Sequence, residues 1–172
     1  MPGPVFCDTR QQRGKHNHVN AWLSEHGVQT VSVKLDAGDY TAPGSNILID
    51  TKKDVQELAG NVGRDHARFV RELDRAASAG CRLVVLVEEH PSYSDRDRLR
   101  SWRPVACRRC RACNPPVDKC VKKRFKPMQG STVAKIIEKL ESEHGARFEF
   151  CHKADSARRI CELLGVPYGG DA

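Results

Sequence analysis

The run Cys81-Arg82-Leu83-Val84-Val85-Leu86-Val87 constrains the fold most strongly. Successive side chains of a strand point to opposite faces, so a nearly continuous apolar run needs cover above and below. It reads as a central strand buried on both faces. The rest of the chain supplies that cover. Pro4 to Asp8 reads as a short buried strand. A helix is expected from about His16 to His26, with Val19, Trp22 and Leu23 on one face and Gly27 as its stop. Val28 to Leu35 alternates, with Val31, Val33 and Leu35 on one side of a strand.

Turn chemistry frames the next elements. Asp36-Ala37-Gly38 reverses the chain and Ala42-Pro43-Gly44-Ser45-Asn46 is a second turn cluster. Asp39-Tyr40 therefore opens a hairpin arm whose partner is Ile47 to Lys52. A helix begins near Asp54 with Val55, Leu58 and Val62. Asp65 reads as the N-cap of a longer helix to Ala79, with Phe69, Val70, Leu73 and Ala77 facing the core. Further on, Ser131 reads as a cap before the stripe Val133, Ile136, Ile137 and Leu140, which stops at Gly145. Arg147 to Cys151 is a short strand. Asp155 opens a last helix carrying Ala157, Ile160, Cys161 and Leu164, closed by Gly165 and Pro167. The expectation is one α/β domain over residues 1–172, a mixed sheet flanked by helices, interrupted by a basic Cys-rich insert at about 91–128.

The chemistry-bearing pattern is Gly38-Asp39-Tyr40 followed by Asp50-Thr51-Lys52 at the end of an apolar strand. Two carboxylates suit Mg²⁺ or Mn²⁺, hard ions that take oxygen ligands. Such an ion polarises a phosphoryl oxygen and lowers the pKa of bound water. Asp50 and Lys52 are two apart and share one face of a strand.

On these residues the chain resembles the PD-(D/E)xK nuclease superfamily, and within it the nuclease domain of the XPF family. Cys7-Asp8-Thr9-Arg10 looks like the family's first acidic element, Gly38-Asp39-Tyr40 matches the second, and Asp50 to Leu58 looks like the third. The resemblance spans roughly residues 4–89 and 130–165. It implies a restriction-endonuclease-like fold, metal-dependent DNA cleavage and dimers, with this chain itself or with another subunit. It also implies that Asp39 and Asp50 ligate the metal, that Lys52 orients water and stabilises charge, and that an Arg, Arg64 or Arg68, stands near the substrate phosphate. Three positions depart from the pattern. Asp50 replaces Glu and Thr51 replaces Arg. Gln56 occupies the last acid position, with Glu57 one residue later. Either Glu57 serves through a one-residue shift, or that ligand is absent. The family's tandem helix-hairpin-helix module has no room here, so a stand-alone catalytic domain is expected.

Other residues have two readings. Asp8 follows a strand and either positions the metal or caps a turn. Glu57 is a metal-site acid or an exposed helix acid. Arg68 and Glu72, four apart, fit a surface ion pair. Glu88 and Glu89 end the central strand and read as solvated acids. The seven histidines show no zinc-ligand spacing.

Net charge is +7, and residues 91–128 hold twelve Lys or Arg against three acids, so this stretch is +9 and the remainder −2. Arg108, Arg109, Arg111, Lys122, Lys123 and Arg124 are the candidates to meet a phosphate backbone; a solvated charge run is the bland reading. The same stretch holds Cys107-x2-Cys110-x2-Cys113-x6-Cys120. Zinc, an iron–sulfur cluster and no metal all remain open. Cys7, Cys81, Cys151 and Cys161 lie beside apolar residues and read as buried thiols. Trp102 and Phe125 flank the cluster, as anchors to the core or as stacking platforms. No transmembrane run or signal peptide is visible, so an intracellular, membrane-free protein is expected. The favoured activity is DNA endonuclease at flapped or branched DNA. A nuclease-inactive DNA-binding module and a scaffold whose insert binds an acidic partner are the alternatives.

Overall fold

A computed structural model describes residues 3–113 and 120–169. Its centre is a six-stranded mixed sheet. In chain order the strands are β1 (Val5–Asp8), β2 (Thr30–Val33), β3 (Tyr40–Thr41), β4 (Ile47–Lys52), β5 (Arg82–Glu88) and β6 (Arg147–Cys151). In space they run β2-β1-β3-β4-β5-β6. β1–β2, β4–β5 and β5–β6 are parallel, while β3 is antiparallel to both β1 and β4. The expected hairpin is present, with Tyr40 opposite Ile49.

The helices are α1 (Asn17–Glu25), α2 (Val55–Val62), α3 (His66–Ser78), α4 (Arg96–Arg100), α5 (Val105–Arg108), α6 (Gly130–His144) and α7 (Ser156–Leu164). β5 shows why both sides of the sheet are covered. Leu83, Val85 and Val87 join one apolar cluster with residues of α2, α3 and α6. Val84 and Leu86 join the other, with residues of α1 and α7. All five are almost fully buried. The mixed α/β architecture expected from the sequence is the one observed.

Some local readings change. Val31 is 44% exposed while Leu35 is buried, and β2 is an edge strand; alternation tells which residues share a face, not whether anything covers it. Cys81 is only half-buried. Ser131 is not the cap of α6: Gln129 is, and the helix opens at Gly130. Gly130 lies under the backbone of residues 99–102, where a Cβ would come 2.2 Å from the Leu99 carbonyl oxygen. The basic stretch is not uniform either. Leu99 and Trp102 are buried members of the core cluster, α4 packs on α6, and Arg96 and Arg100 pair with Glu141 and Glu138. Phe125 is 76% exposed, so only Trp102 anchors.

Candidate active-site cleft

Asp39, Asp50 and Lys52 meet through the β3–β4 hairpin. Gly38 sets the turn with φ +73°, in the left-handed region that favours glycine. A Cβ there would also sit 2.8 Å from the Ile49 carbonyl oxygen. Asp39 N–H donates to that oxygen at 2.6 Å, which locks the residue against β4. The Asp39 carboxylate Oδ2 accepts from Thr51 N–H at 2.8 Å and from the Thr51 hydroxyl at 2.7 Å. Thr51, one of the departures from the nuclease pattern, therefore holds Asp39 in place.

Asp50 and Lys52 lie on the same face of β4 as Leu48, towards α2 and α3. Each is 6% exposed. Lys52 Nζ stands 2.7 Å from Asp50 Oδ2. That contact is an ion pair without hydrogen-bond alignment, and it leaves Asp50 Oδ2 buried without an aligned donor. Desolvation pushes the Asp39 and Asp50 carboxyls up, and the charge of Asp39 pushes Asp50 further. Lys52 is lowered by burial but raised by more by Asp50, with Glu57 and Glu72 adding to it, so it stays an ammonium.

These three residues line a cleft of about 420 Å³ together with Asp8, Lys15, His16, Glu57 and Arg68, among others. The Asp8 carboxylate accepts from Arg10 Nε at 3.0 Å and from Leu35 N–H at 3.0 Å, so it ties the ends of two loops. Glu57 is no free exposed acid. It accepts from Lys15 Nζ at 3.0 Å and from Lys53 N–H at 2.7 Å. Burial raises its pKa, and these two donors reverse the sign and hold it low. Gln56 faces elsewhere, accepting from Val105 N–H at 2.9 Å. Arg68 faces the cleft, whereas the Arg64 side chain is 85% exposed and lies 3.8 Å from Asp65. Glu72 accepts from Gly38 N–H at 3.0 Å and helps fix the turn, instead of pairing with Arg68.

Glu88 and Glu89 are not free strand-end acids. Glu88 pairs with His18, with only 6% of its side chain exposed, and Glu89 accepts from Val55 N–H at the start of α2. The basic candidates Arg108, Arg109, Arg111, Lys122, Lys123 and Arg124 are exposed and lie outside the cleft lining.

Sequence reasoning missed Lys15 and His16. Lys15 Nζ bridges Glu57 and the Thr51 carbonyl oxygen, at 3.1 Å from the latter. His16 is buried. Burial, and next the charge of Lys15, lower its pKa to about 4, so it is neutral at neutral pH. The Tyr40 hydroxyl lies 2.8 Å from His16 Nδ1 in a buried hydrogen bond, and Gln11 Nε2 donates to the Asp39 carbonyl oxygen at 3.0 Å. The other ring nitrogen of His16, Nε2, faces Asp39 Oδ1 from 3.9 Å. No spacing in the sequence announces this series of contacts, because only folding joins Lys15 and His16 to Asp39.

The donor set fits a hard divalent ion, with two desolvated carboxyls sharing one cleft and Asp50 Oδ2 lacking an aligned donor. Among the described residues, no three His, Cys, Asp or Glu side chains gather within reach of one ion. Among the described residues, no helix is long and apolar enough to cross a membrane.

Comparison with known proteins identifies the fold and the family. The structure is similar to XPF from Aeropyrum pernix, with a TM-score of 0.60 and 18% identity, covering 94% of this chain and 64% of that one. This chain thus spans less than two thirds of that protein's length, and the likeness establishes the fold. A search of curated proteins found no match. The sequence matches the ERCC4 domain over residues 7–163. That match takes in the whole cleft and nearly all of the sheet, so the chain belongs to the ERCC4 domain family, a DNA nuclease-type domain.

Proposed function

We propose that this chain is a Mg²⁺- or Mn²⁺-dependent DNA endonuclease that cuts phosphodiester bonds at flapped or branched DNA. The observation that carries this reading is the meeting of Asp39, Asp50 and Lys52 in one cleft, with both carboxyls desolvated and the lysine kept charged. Asp39 and Asp50 would hold the ion, which supplies Lewis-acid polarisation of the phosphoryl oxygen and a more acidic bound water. Thr51, through its two hydrogen bonds, holds the Asp39 carboxylate in place. Neutral His16, held by Tyr40, stands beside the same carboxylate without adding charge. Lys52 offers an ammonium to orient water and to stabilise charge building on the scissile phosphate. Arg68 offers a guanidinium to a flanking phosphate. Glu57 acts through Lys15, holding that second ammonium near the strand end. The basic stretch draws the DNA backbone in, and pairing with a second copy or another subunit belongs to the same reading.

A second reading has its own observation. Gln56 stands at the last acid position and turns to Val105, while Glu57 is engaged by Lys15. A cleft short of one acid fits a DNA-binding module without cleavage.

Cleavage of labelled duplex, flap and branched DNA with Mg²⁺, with Mn²⁺ and with chelator separates the two. Metal-dependent cutting that disappears in Asp50→Asn, with DNA binding retained, is the expected result. An Asp50→Asn protein that cuts as well as wild type would sink the site. Binding without cutting on every substrate would favour the second reading, and capture of an acidic protein partner that competing DNA does not displace would point to a scaffold.

A further inference from the structure

From Val105 to Lys126 every described residue is exposed except four, and those four are Cys107, Cys110, Cys113 and Cys120. Val105, Val121 and Phe125, the side chains that would ordinarily make an interior, are 58%, 69% and 76% exposed. After α5 the described residues form no helix or strand until Gly130. A folded segment without an apolar interior needs another source of order, and disulfides or metals are the usual ones. The cysteines are all free thiols.

Their arrangement suits a metal. Cys110 N–H donates to the Cys107 carbonyl oxygen at 3.3 Å, closing a tight turn that carries both thiols. All four cysteines line one cavity of about 290 Å³, which Arg103 and Lys122 also line. One sulfur acceptor is already supported: Gln129 Nε2 donates to Cys107 Sγ at 3.5 Å. Donors of this kind orient and charge metal-binding thiolates. A four-thiolate zinc centre is anionic overall, and the cationic wall of this cavity offsets that charge. The sulfurs line the one cavity without converging on a point, so metal binding would have to draw them together as it orders the segment.

We propose that Cys107, Cys110, Cys113 and Cys120 bind one structural Zn²⁺, which serves as the interior of the basic segment and holds its arginines and lysines outward. The segment is fastened beside the cleft. Val105 N–H bonds to Gln56 on α2, next to Glu57, and Met128 packs beside Gly63 at the end of the same helix. A zinc-ordered segment on these two footholds would present its cations at a fixed place relative to Asp39 and Asp50. The zinc site itself does not depend on the nuclease reading.

The test is elemental analysis of the full chain, purified under reducing conditions, alongside Co²⁺ titration read by the thiolate-to-cobalt absorption band. Wild type and Cys81→Ser should each hold about one zinc per chain, as a closed four-ligand site does. Cys110→Ser/Cys113→Ser should lose the zinc and the cobalt band while keeping the thermal unfolding of the core. Trypsin should cut between residues 103 and 126 faster after chelation, and Zn²⁺ but not Mg²⁺ should restore protection. A reduced wild type with neither zinc nor a cobalt–thiolate band overturns the proposal, as does a double variant that keeps its zinc. Iron with inorganic sulfide in protein prepared without oxygen overturns zinc as the resident metal. Tryptic cutting that ignores chelator overturns the ordering role.

Discussion

The acidic cleft and the basic segment handle charge in opposite ways. In the cleft, Asp50 and Lys52 are each 6% exposed, and every position is fixed by β3, β4, α2 and α3 around an apolar core. In the segment from Val105 to Lys126, the described cations are all exposed and the interior holds thiols alone. Buried charge interacts strongly because little water screens it, but it tolerates little displacement. Exposed charge interacts weakly per residue and tolerates displacement well. The first arrangement suits bond chemistry and the second suits attraction to a long polyanion.

The sharpest break in that contrast is Lys52→Ala. Loss of a group that stabilises transition-state charge typically costs about 10²–10³-fold in turnover. Steady-state cleavage should fall by that order while DNA affinity, measured by titration at fixed salt, changes little. Equal losses in both would make Lys52 a binding residue and erase the distinction between the two regions.

The same variant has a pH signature. Asp39 and Asp50 are raised in the folded state, so above the ordinary aspartate value of about 3.9 the native protein binds more protons than the unfolded one. Stability contributed by these groups is full below that value and is lost as pH rises through the raised folded pKa. Lys52 is the chief influence holding Asp50 down, so removing it lifts Asp50 further. In chelator, Lys52→Ala should therefore lose Tm relative to wild type as pH rises. His16, lowered to about 4, contributes with the opposite sign between that value and its ordinary one, and it cancels in the comparison. Added Mn²⁺ should narrow the wild-type decline, because the ion favours the ionised carboxylates. A Tm difference that shrinks with pH would contradict the assignment.

Gly38→Ala tests the scaffold rather than the charges. A side chain forced into left-handed backbone costs about 1–3 kcal/mol, and here the added Cβ also meets the Ile49 carbonyl oxygen at 2.8 Å. Chemical denaturation should show that loss, accompanied by weaker cleavage, because the shift moves Asp39. Unchanged stability would mean the turn is looser than its contacts imply.

The legibility of the sequence follows the same divide. β5 was readable because burial on both faces leaves a continuous apolar run. Asp50 and Lys52 were readable because strand periodicity puts them on one face. Glu88, Lys15 and His16 were not. Their partners, His18, Glu57 and Tyr40, lie 70, 42 and 24 residues away, and such pairings leave no local pattern. The buried Trp102 and exposed Phe125 looked alike for the same reason, since nothing in the neighbouring residues says which one the core reaches. The separation of Arg68 from Arg64 also needed the helix to be placed, because both stand near its start.

The smallest effects should come from the segment's cations taken singly, and their sum is what matters. Arg108, Arg109 and Arg111 are exposed, and surface substitutions of this kind leave folding stability within about 0.5 kcal/mol. If the three meet duplex phosphates, the alanine triple variant should flatten the plot of log affinity against log salt by about 0.9 for each phosphate that is no longer neutralised. The weakening should be the same for every DNA sequence tried, because the phosphate backbone carries no sequence information. Asp50→Asn should leave that slope untouched, since the cleft's carboxylates release no DNA counterions. An unchanged slope in the triple variant, with its fold intact, would take these arginines off the DNA path and leave the cleft's Arg68 and Lys15 as the main groups that meet phosphate.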